Sequence, residues 1–252
     1  MTPGTPSRPA PEPAVVRLPS LSACFPVHDE EANVDPMTTA LLRVLPAVAE
    51  RWELIIVDDG SRDGTGAIVD RLAREHPGVR VVRHERNRGY GAAVRSGLAA
   101  CRYDYVFLTD GDRQFDPADL PALLPPLAHA DVVAGYRRSR ADPPLRRWNT
   151  AGWNLLVRIL LGVPVRDVNC AFKLLRRDAV AGLELRADGA LLPAELLARI
   201  AQRGGRIVEV PVTHHPRVAG TPSGARPGVV VRAFGELIRL GRELRAHTTA
   251  RP

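Results

Sequence analysis

The sequence predicts an α/β fold: a mostly parallel sheet with helices on both faces, in a single domain. Three observations predict it. Short β-branched and aromatic runs alternate with helix-length segments from residue 21 to residue 136. The connections between them are short, as crossover units in parallel sheets have them. Four of the runs end in polar, ligand-capable residues, and in open α/β sheets ligands sit outside the carboxyl ends of the strands. A chain of 252 residues suits one domain and can bury a sizeable core.

The elements follow in order. Residues 1–19 are rich in proline and small polar residues and read as a disordered tail. The domain is expected over 20–225, and a basic amphipathic helix and tail over 226–252. Leu21 to Val27 is the first strand; Pro26 stops its ladder, and His28, Asp29, Glu30 and Glu31 crowd its exit. Asn33 and Asp35 open a helix with Pro36 in its first turn. Glu53 to Val57 is the second strand, with Asp58 and Asp59 at its end. Asp63, Gly64 and Thr65 start a helix that runs to about His76. Val79 to Arg83 is the third strand, followed by NRGYGAAVRSGL, a glycine turn into a helix ending near Cys101. Tyr105 opens the fourth strand. A helix is expected from about Pro117 to Ala128, and a fifth strand from Asp131 to Tyr136.

The chemistry concentrates after the fourth strand, in YVFLTDGDRQFDP. In extended backbone, positions i and i+2 point the same way, so Asp110 and Asp112 face one point. Gly111 between them leaves room for close approach to the backbone. Gln114 adds a neutral oxygen. Two carboxylates and a carbonyl oxygen suit a hard divalent cation, Mg²⁺ or Mn²⁺, carrying phosphates. The competing reading is a polar strand-to-helix loop in which Asp116 caps the next helix. A carboxylate after an early strand, as at Asp58, suits ribose hydroxyls or a base N–H.

The net charge of +7 is localised. Arg137, Arg138, Arg140, Arg146 and Arg147 stand against Asp142 alone. From Arg217 onward, seven arginines stand against Glu236 and Glu243. Those two regions exceed the total, so the rest is slightly acidic. A basic surface beside an acidic metal site suits a phosphorylated substrate or an anionic membrane face. The three cysteines are widely spaced in apolar stretches and read as reduced thiols of a cytoplasmic protein. No run approaches the ~20 apolar residues of a membrane span. A nucleic-acid module is excluded as a class: it has no use for acidic groups at four strand exits, and aromatics are sparse. A phosphatase of the Asp-x-Asp type would want its pair after the first strand.

FPVHDEEAN, IIVDDGSRDGT, NRGYGAAVRSGL and DGDRQFDP together resemble glycosyltransferase family two on the GT-A fold. DVVAGYR, LRRWNTAGWNLLVRILLG, VRDVNCAFKLLRRDAV and GRIVEVPVTHHPR resemble its dolichyl/polyprenyl-phosphate mannose synthase branch. The resemblance covers roughly Leu21 to Gly224. It implies a metal-dependent, inverting transfer of mannose or glucose from a GDP- or UDP-linked sugar to a polyprenyl phosphate. Pro26, Val27, His28 and Glu30 would border the base, and Asp58, beside Asp59, would meet base or ribose. Asp110 and Asp112, with Gln114, would hold the metal and diphosphate around Gly111. Arg137 would face the sugar or the acceptor phosphate, Arg146 or Arg147 would bind that phosphate, and Arg217 would close over the nucleotide diphosphate. The chain departs from the branch in DGDRQ for Asp-Ala-Asp-Leu-Gln, in Cys170-Ala171-Phe172-Lys173 for Ser-Gly-Phe-Arg, and in a loop at Gly220 to Gly224 without its lysine.

The acceptor decides what else is needed. A lipid monophosphate is already ionised near neutral pH, with a second pKa of about 6, and needs no strong base. Arginine suits it, being always charged and bidentate. A soluble hydroxyl acceptor needs a general base, for which Asp167 is the candidate. The segment Pro227 to His247 has apolar residues on one side and Arg232, Arg239 and Arg242 on the other. It either lies on an anionic membrane, making the protein peripheral on the inner face of the cell membrane, or docks on the core and shows its arginines to water.

Overall fold

The structure, a computed structural model, describes residues 17–138, 144–189, 191–217 and 227–249. Its elements run β1 (Leu18–Val27), α1 (Glu31–Val48), β2 (Ala49–Asp58), α2 (Thr65–Glu75), β3 (Val79–Arg83), α3 (Tyr90–Ala100), β4 (Tyr105–Leu108), β5 (Val132–Arg137), α4 (Pro144–Leu161), β6 (Lys173–Arg176), α5 (Arg177–Val180), α6 (Leu192–Gln202), β7 (Ile207–Val212) and α7 (Pro227–Thr249). One seven-stranded sheet joins them in the order β3–β2–β1–β4–β6–β5–β7. The β1–β2, β1–β4, β2–β3 and β5–β7 pairs are parallel, and β6 runs antiparallel to both β4 and β5.

The period-two patterning of the strands builds two cores. Leu54 and Ile56 of β2 face one side, with Val34, Met37 and Leu41 of α1 and Val69 and Leu72 of α2. Ile55 and Val57 face the other, with Val94 of α3, Leu196 and Leu197 of α6, and Leu237 and Leu240 of α7. Each such side chain, fully buried, contributes about 1.5–3 kcal/mol. Central strands buried on both faces read as continuous apolar runs, which is why β2 was so legible.

Several boundaries differ from the sequence expectation. β1 begins at Leu18, inside the segment expected to be tail, because Leu18 and Ser20 are buried against β2 and the Asp104 turn. The tail reading over residues 1–16 lies outside the described residues. The first helix starts at Glu31, which puts Pro36 inside it. The helix expected from Pro117 to Ala128 is two 3₁₀ turns, Pro117–Leu123 and Pro125–His129. Four prolines there lack the N–H that an α-helical ladder needs. Asp116 does cap the first turn, accepting from the Ala118 amide at 2.9 Å. The antiparallel β6 was not predicted; four residues beginning with a lysine carry no strand period.

Candidate active site

The loops at the carboxyl ends of β1 and β4 meet the 214–217 segment that follows β7, and the β2 loop joins that of β1. Leu108 pairs with Cys24, and the Thr109 amide donates to Cys24 O at 3.2 Å. Beyond that bond the chain leaves the sheet at Asp110. Gly111 lies against the end of β1: a Cβ there would stand 2.7 Å from Val27 Cγ1 and 2.9 Å from Pro26 O. The space that glycine frees is therefore filled by the protein's own Pro26 and Val27. Arg113 takes a left-handed φ of 60°, a conformation that costs a non-glycine residue about 1–2 kcal/mol. The turn it makes lets the Gln114 amide donate to Asp112 Oδ1 at 3.0 Å.

Asp110 and Asp112 share one charge environment. Burial first, and then the charge of Asp112, push the Asp110 carboxyl up to about 7, against the Tyr90 hydroxyl, Lys173 and Arg217. Asp110 Oδ1 is buried and has no hydrogen-bond partner. A buried, unpartnered carboxylate oxygen beside a second carboxylate is what a divalent cation would satisfy, and its charge would reverse the upward push. Among the described residues no cluster of three His, Cys, Asp or Glu side chains could hold a metal unaided. A Mg²⁺-type ion bound by one or two carboxylates takes its other ligands from water and phosphate, so the donor set fits a cation that arrives with a diphosphate.

Arg217 bridges this pair to β1. Its guanidinium donates to Asp112 Oδ2 at 2.5 Å and to Glu30 Oε1 at 3.1 Å. The approach is set by a short antiparallel seam: Phe115 bridges His214, the His215 amide donates to Gln114 O at 2.7 Å, and Gln114 Nε2 donates to His215 O at 3.3 Å. Gln114 thus spends its amide nitrogen on this seam. His28, at the exit of β1, has a buried, unpartnered Nδ1.

The acidic pair after β2 divides its labour. Asp58 is buried and accepts from the Ser61 amide at 3.0 Å and from Arg83 Nε at 3.1 Å. Asp59 accepts from the Arg88 and Gly89 amides at 2.9 and 2.8 Å and contacts His84 Nδ1 at 2.6 Å. His84 Nε2 in turn meets Ser96 Oγ at 2.8 Å, tying the glycine turn to α3. Asp59 therefore holds the turn at residues 87–89.

A second polar group lies across β6. Arg137, at the end of β5, forks onto Asp167: Nε to Oδ2 at 2.6 Å and a terminal nitrogen to Oδ1 at 2.7 Å. Asp167 is 3% exposed. Beneath it lies Lys173, 1% exposed, whose ammonium donates to Val168 O at 3.3 Å and to Cys170 O. Burial lowers its pKa, opposed by Cys170, Asp167 and Asp110. The sequence reading noted Lys173 only as a departure from an arginine and gave no role to it, Tyr90 or His84. A signal for the first was available: Lys173 is the only lysine in the chain. The side chains of Arg146 and Arg147, and the loop from Gly220 to Gly224, lie outside the described residues.

Comparison with known proteins bears on this geometry. Residues 22–183 match Glycosyl transferase family 2. The dodecaprenyl-phosphate galacturonate synthase of Rhizobium johnstonii is 32% identical over 206 residues, 79% of this chain and 60% of that protein. The undecaprenyl-phosphate 4-deoxy-4-formamido-L-arabinose transferase of Pseudomonas fluorescens is 34% identical over 69% of this chain and 52% of its own length. This chain thus spans between half and two thirds of those relatives. The undecaprenyl-phosphate mannosyltransferase of Micrococcus luteus is 32% identical over 228 residues, 86% of this chain and 92% of that protein. Among solved structures, glucosyl-3-phosphoglycerate synthase from Mycobacterium tuberculosis, in complex with Mg²⁺ and UDP, superposes with a TM-score of 0.69 at 22% identity, over 88% of this chain and 79% of that one. That likeness shows a shared fold.

Proposed function

We propose, for a chain that belongs to glycosyl transferase family 2, that it transfers a sugar, mannose or glucose, from a GDP- or UDP-linked donor to a polyprenyl phosphate. The relatives named above support the acceptor class, and the solved structures of the same fold contain UDP with Mg²⁺ or Mn²⁺. The observation that carries the acceptor is the Arg137–Asp167 fork. The candidate general base, Asp167, already has both carboxylate oxygens bonded to a guanidinium. A hydroxyl acceptor would have to be deprotonated by that committed group; a phosphate acceptor arrives ionised.

In this reading Asp110 and Asp112, with Gln114 beside them, hold Mg²⁺ or Mn²⁺. When bound, that ion would neutralise charge building on the diphosphate leaving group. Pro26, Val27, His28 and Glu30 border the nucleotide, with Asp58 and Asp59 fixing the loops around it. Arg217 exchanges its carboxylate partners for the diphosphate. Arg137, with Arg146 and Arg147, meets the acceptor phosphate, and direct displacement inverts the anomeric carbon. The catalytic domain, expected over 20–225, takes Leu18 of β1 into its sheet and α7 onto its second core. Among the described residues no helix is long and apolar enough to cross a membrane. The reading takes the protein as peripheral on an anionic membrane at the cytoplasmic side, on the charge of its two arginine regions, with no nucleic-acid partner. A matrix of GDP- and UDP-sugars against polyprenyl phosphate and water, read by mass spectrometry, tests it. Transfer to soluble hydroxyl acceptors, with none to the lipid phosphate, would overturn it.

A further inference from the structure

Among the described residues, the large apolar side chains left exposed all lie on α4 and α7: Leu155 at 55%, Ile159 at 67%, Phe234 at 39% and Ile238 at 47%. Each helix carries its pair at i and i+4, hence on one face. Both helices already satisfy the core with other residues, Val157 from α4 and Leu237, Leu240 and Leu244 from α7. They lie side by side. Trp153 packs edge-on to Phe234 with ring centres 5.5 Å apart, and a Cβ on Gly241 would meet Leu160 O at 3.2 Å. Both contacts advance seven residues in the same direction, so the helices run parallel and their exposed pairs sit at similar heights. The surrounding charge is positive. Arg158, Arg239, Arg242 and Arg245 are exposed, α4 contains no acidic residue, and Glu243 is engaged by Arg199 and Arg186. The face is also tied to the site: Asn154, next to Leu155, donates to Arg166 O at 2.7 Å and accepts from the Val168 amide at 3.4 Å, bracketing Asp167.

We propose that the α4–α7 face docks on an anionic bilayer, inserting Leu155, Ile159, Phe234 and Ile238 while the arginines meet lipid headgroups. Asn154 then holds the Arg137–Asp167 side of the site close to headgroup level, where a lipid phosphate would enter. An exposed apolar patch with a cationic rim is suited to an interface of this kind. A second copy is the poorer occupant, since an isologous contact would bring arginine rims together. The placement beside Arg137 rests on the lipid-phosphate reading of the acceptor; the docking itself does not.

The experiment is co-sedimentation of the full chain with vesicles of phosphatidylglycerol and phosphatidylcholine, free of polyprenyl phosphate. Parent protein should bind, and raised salt should weaken binding without abolishing it. Ile159→Ser with Phe234→Ser should lower partitioning at least about 10-fold. The double variant should keep its melting temperature and its transfer to a short, water-soluble prenyl phosphate. Undiminished vesicle binding by that variant would overturn the proposal, as would complete release of the parent by salt alone. So would a parent dimer that the two substitutions dissociate without any vesicle binding. A parent that binds vesicles but uses no prenyl phosphate would support the docking face and remove the acceptor reading instead.

Discussion

Asp167→Asn separates a structural carboxylate from a catalytic one. Asp167 and Arg137 form a two-bond fork with side chains 4% and 15% exposed. Removing one partner of a fully buried pair costs about 3–5 kcal/mol. Arg137 keeps some solvent, which lowers the expected loss to about 2–3 kcal/mol. At about 2–4 °C per kcal/mol for a chain of this size, the melting temperature should fall by about 4–12 °C. The guanidinium loses the two-bond fork that orients it, so the acceptor KM should rise. The donor KM should hold, because the Asp110–Asp112 group is untouched. The turnover number should change less than about 10-fold, since an ionised phosphate needs no proton removed. Thermal melts and steady-state kinetics with each substrate varied separately read all three. The reasoning fails if the melt is unchanged while turnover drops by the 10²–10⁴ typical of a lost general base.

Three other predictions follow from the same structure, and one, at Arg147, from the sequence. Asp112→Asn keeps shape but removes charge from the cation site, and transfer should fall at least about 100-fold; full activity of the parent in chelator would contradict the assignment. Arg147→Ala should raise the acceptor KM and leave donor affinity nearly unchanged, which kinetics with both substrates will show. Glu53 resists the upward push of burial through bonds from Ser22, Arg80 and the Arg102 amide, which together hold its carboxyl below the ordinary range. Its contribution is therefore full above the ordinary value of about 4.3 and is lost as pH falls through the depressed one, so parent and Glu53→Gln melting curves should differ at neutral pH and converge in acid. Lys173, the sole lysine and wholly buried, should resist an amine-reactive reagent until the protein is unfolded, as peptide mass mapping will report.

Local pattern alone determined much of this protein. The apolar runs of β1, β2 and β4, the glycine and acidic signals at their ends, and the two-residue spacing of Asp110 and Asp112 are encoded by neighbours in the chain. Within a strand, backbone periodicity turns spacing directly into direction; Asp110 and Asp112 lie past the end of β4, in the turn that Arg113 completes. The same periodicity explains why adjacent Asp58 and Asp59 serve different loops, one bonded to Arg83 and the other to the turn at 87–89. Tertiary structure decided the rest. Asp167 reads from sequence as a surface aspartate or a base; it becomes the partner of Arg137, 30 residues away, because the antiparallel β6 folds the 167–173 segment back beside β5. Arg217 meets Asp112 across 105 residues through the seam at His214 and His215. Pairings at such separation leave no local period, since each depends on a strand order that only the packed sheet defines. The amphipathic helix α7 read as either docked or membrane-bound because its apolar side could meet either surface. Packing divides that side: the core takes Leu237, Leu240 and Leu244 and leaves Phe234 and Ile238 outside.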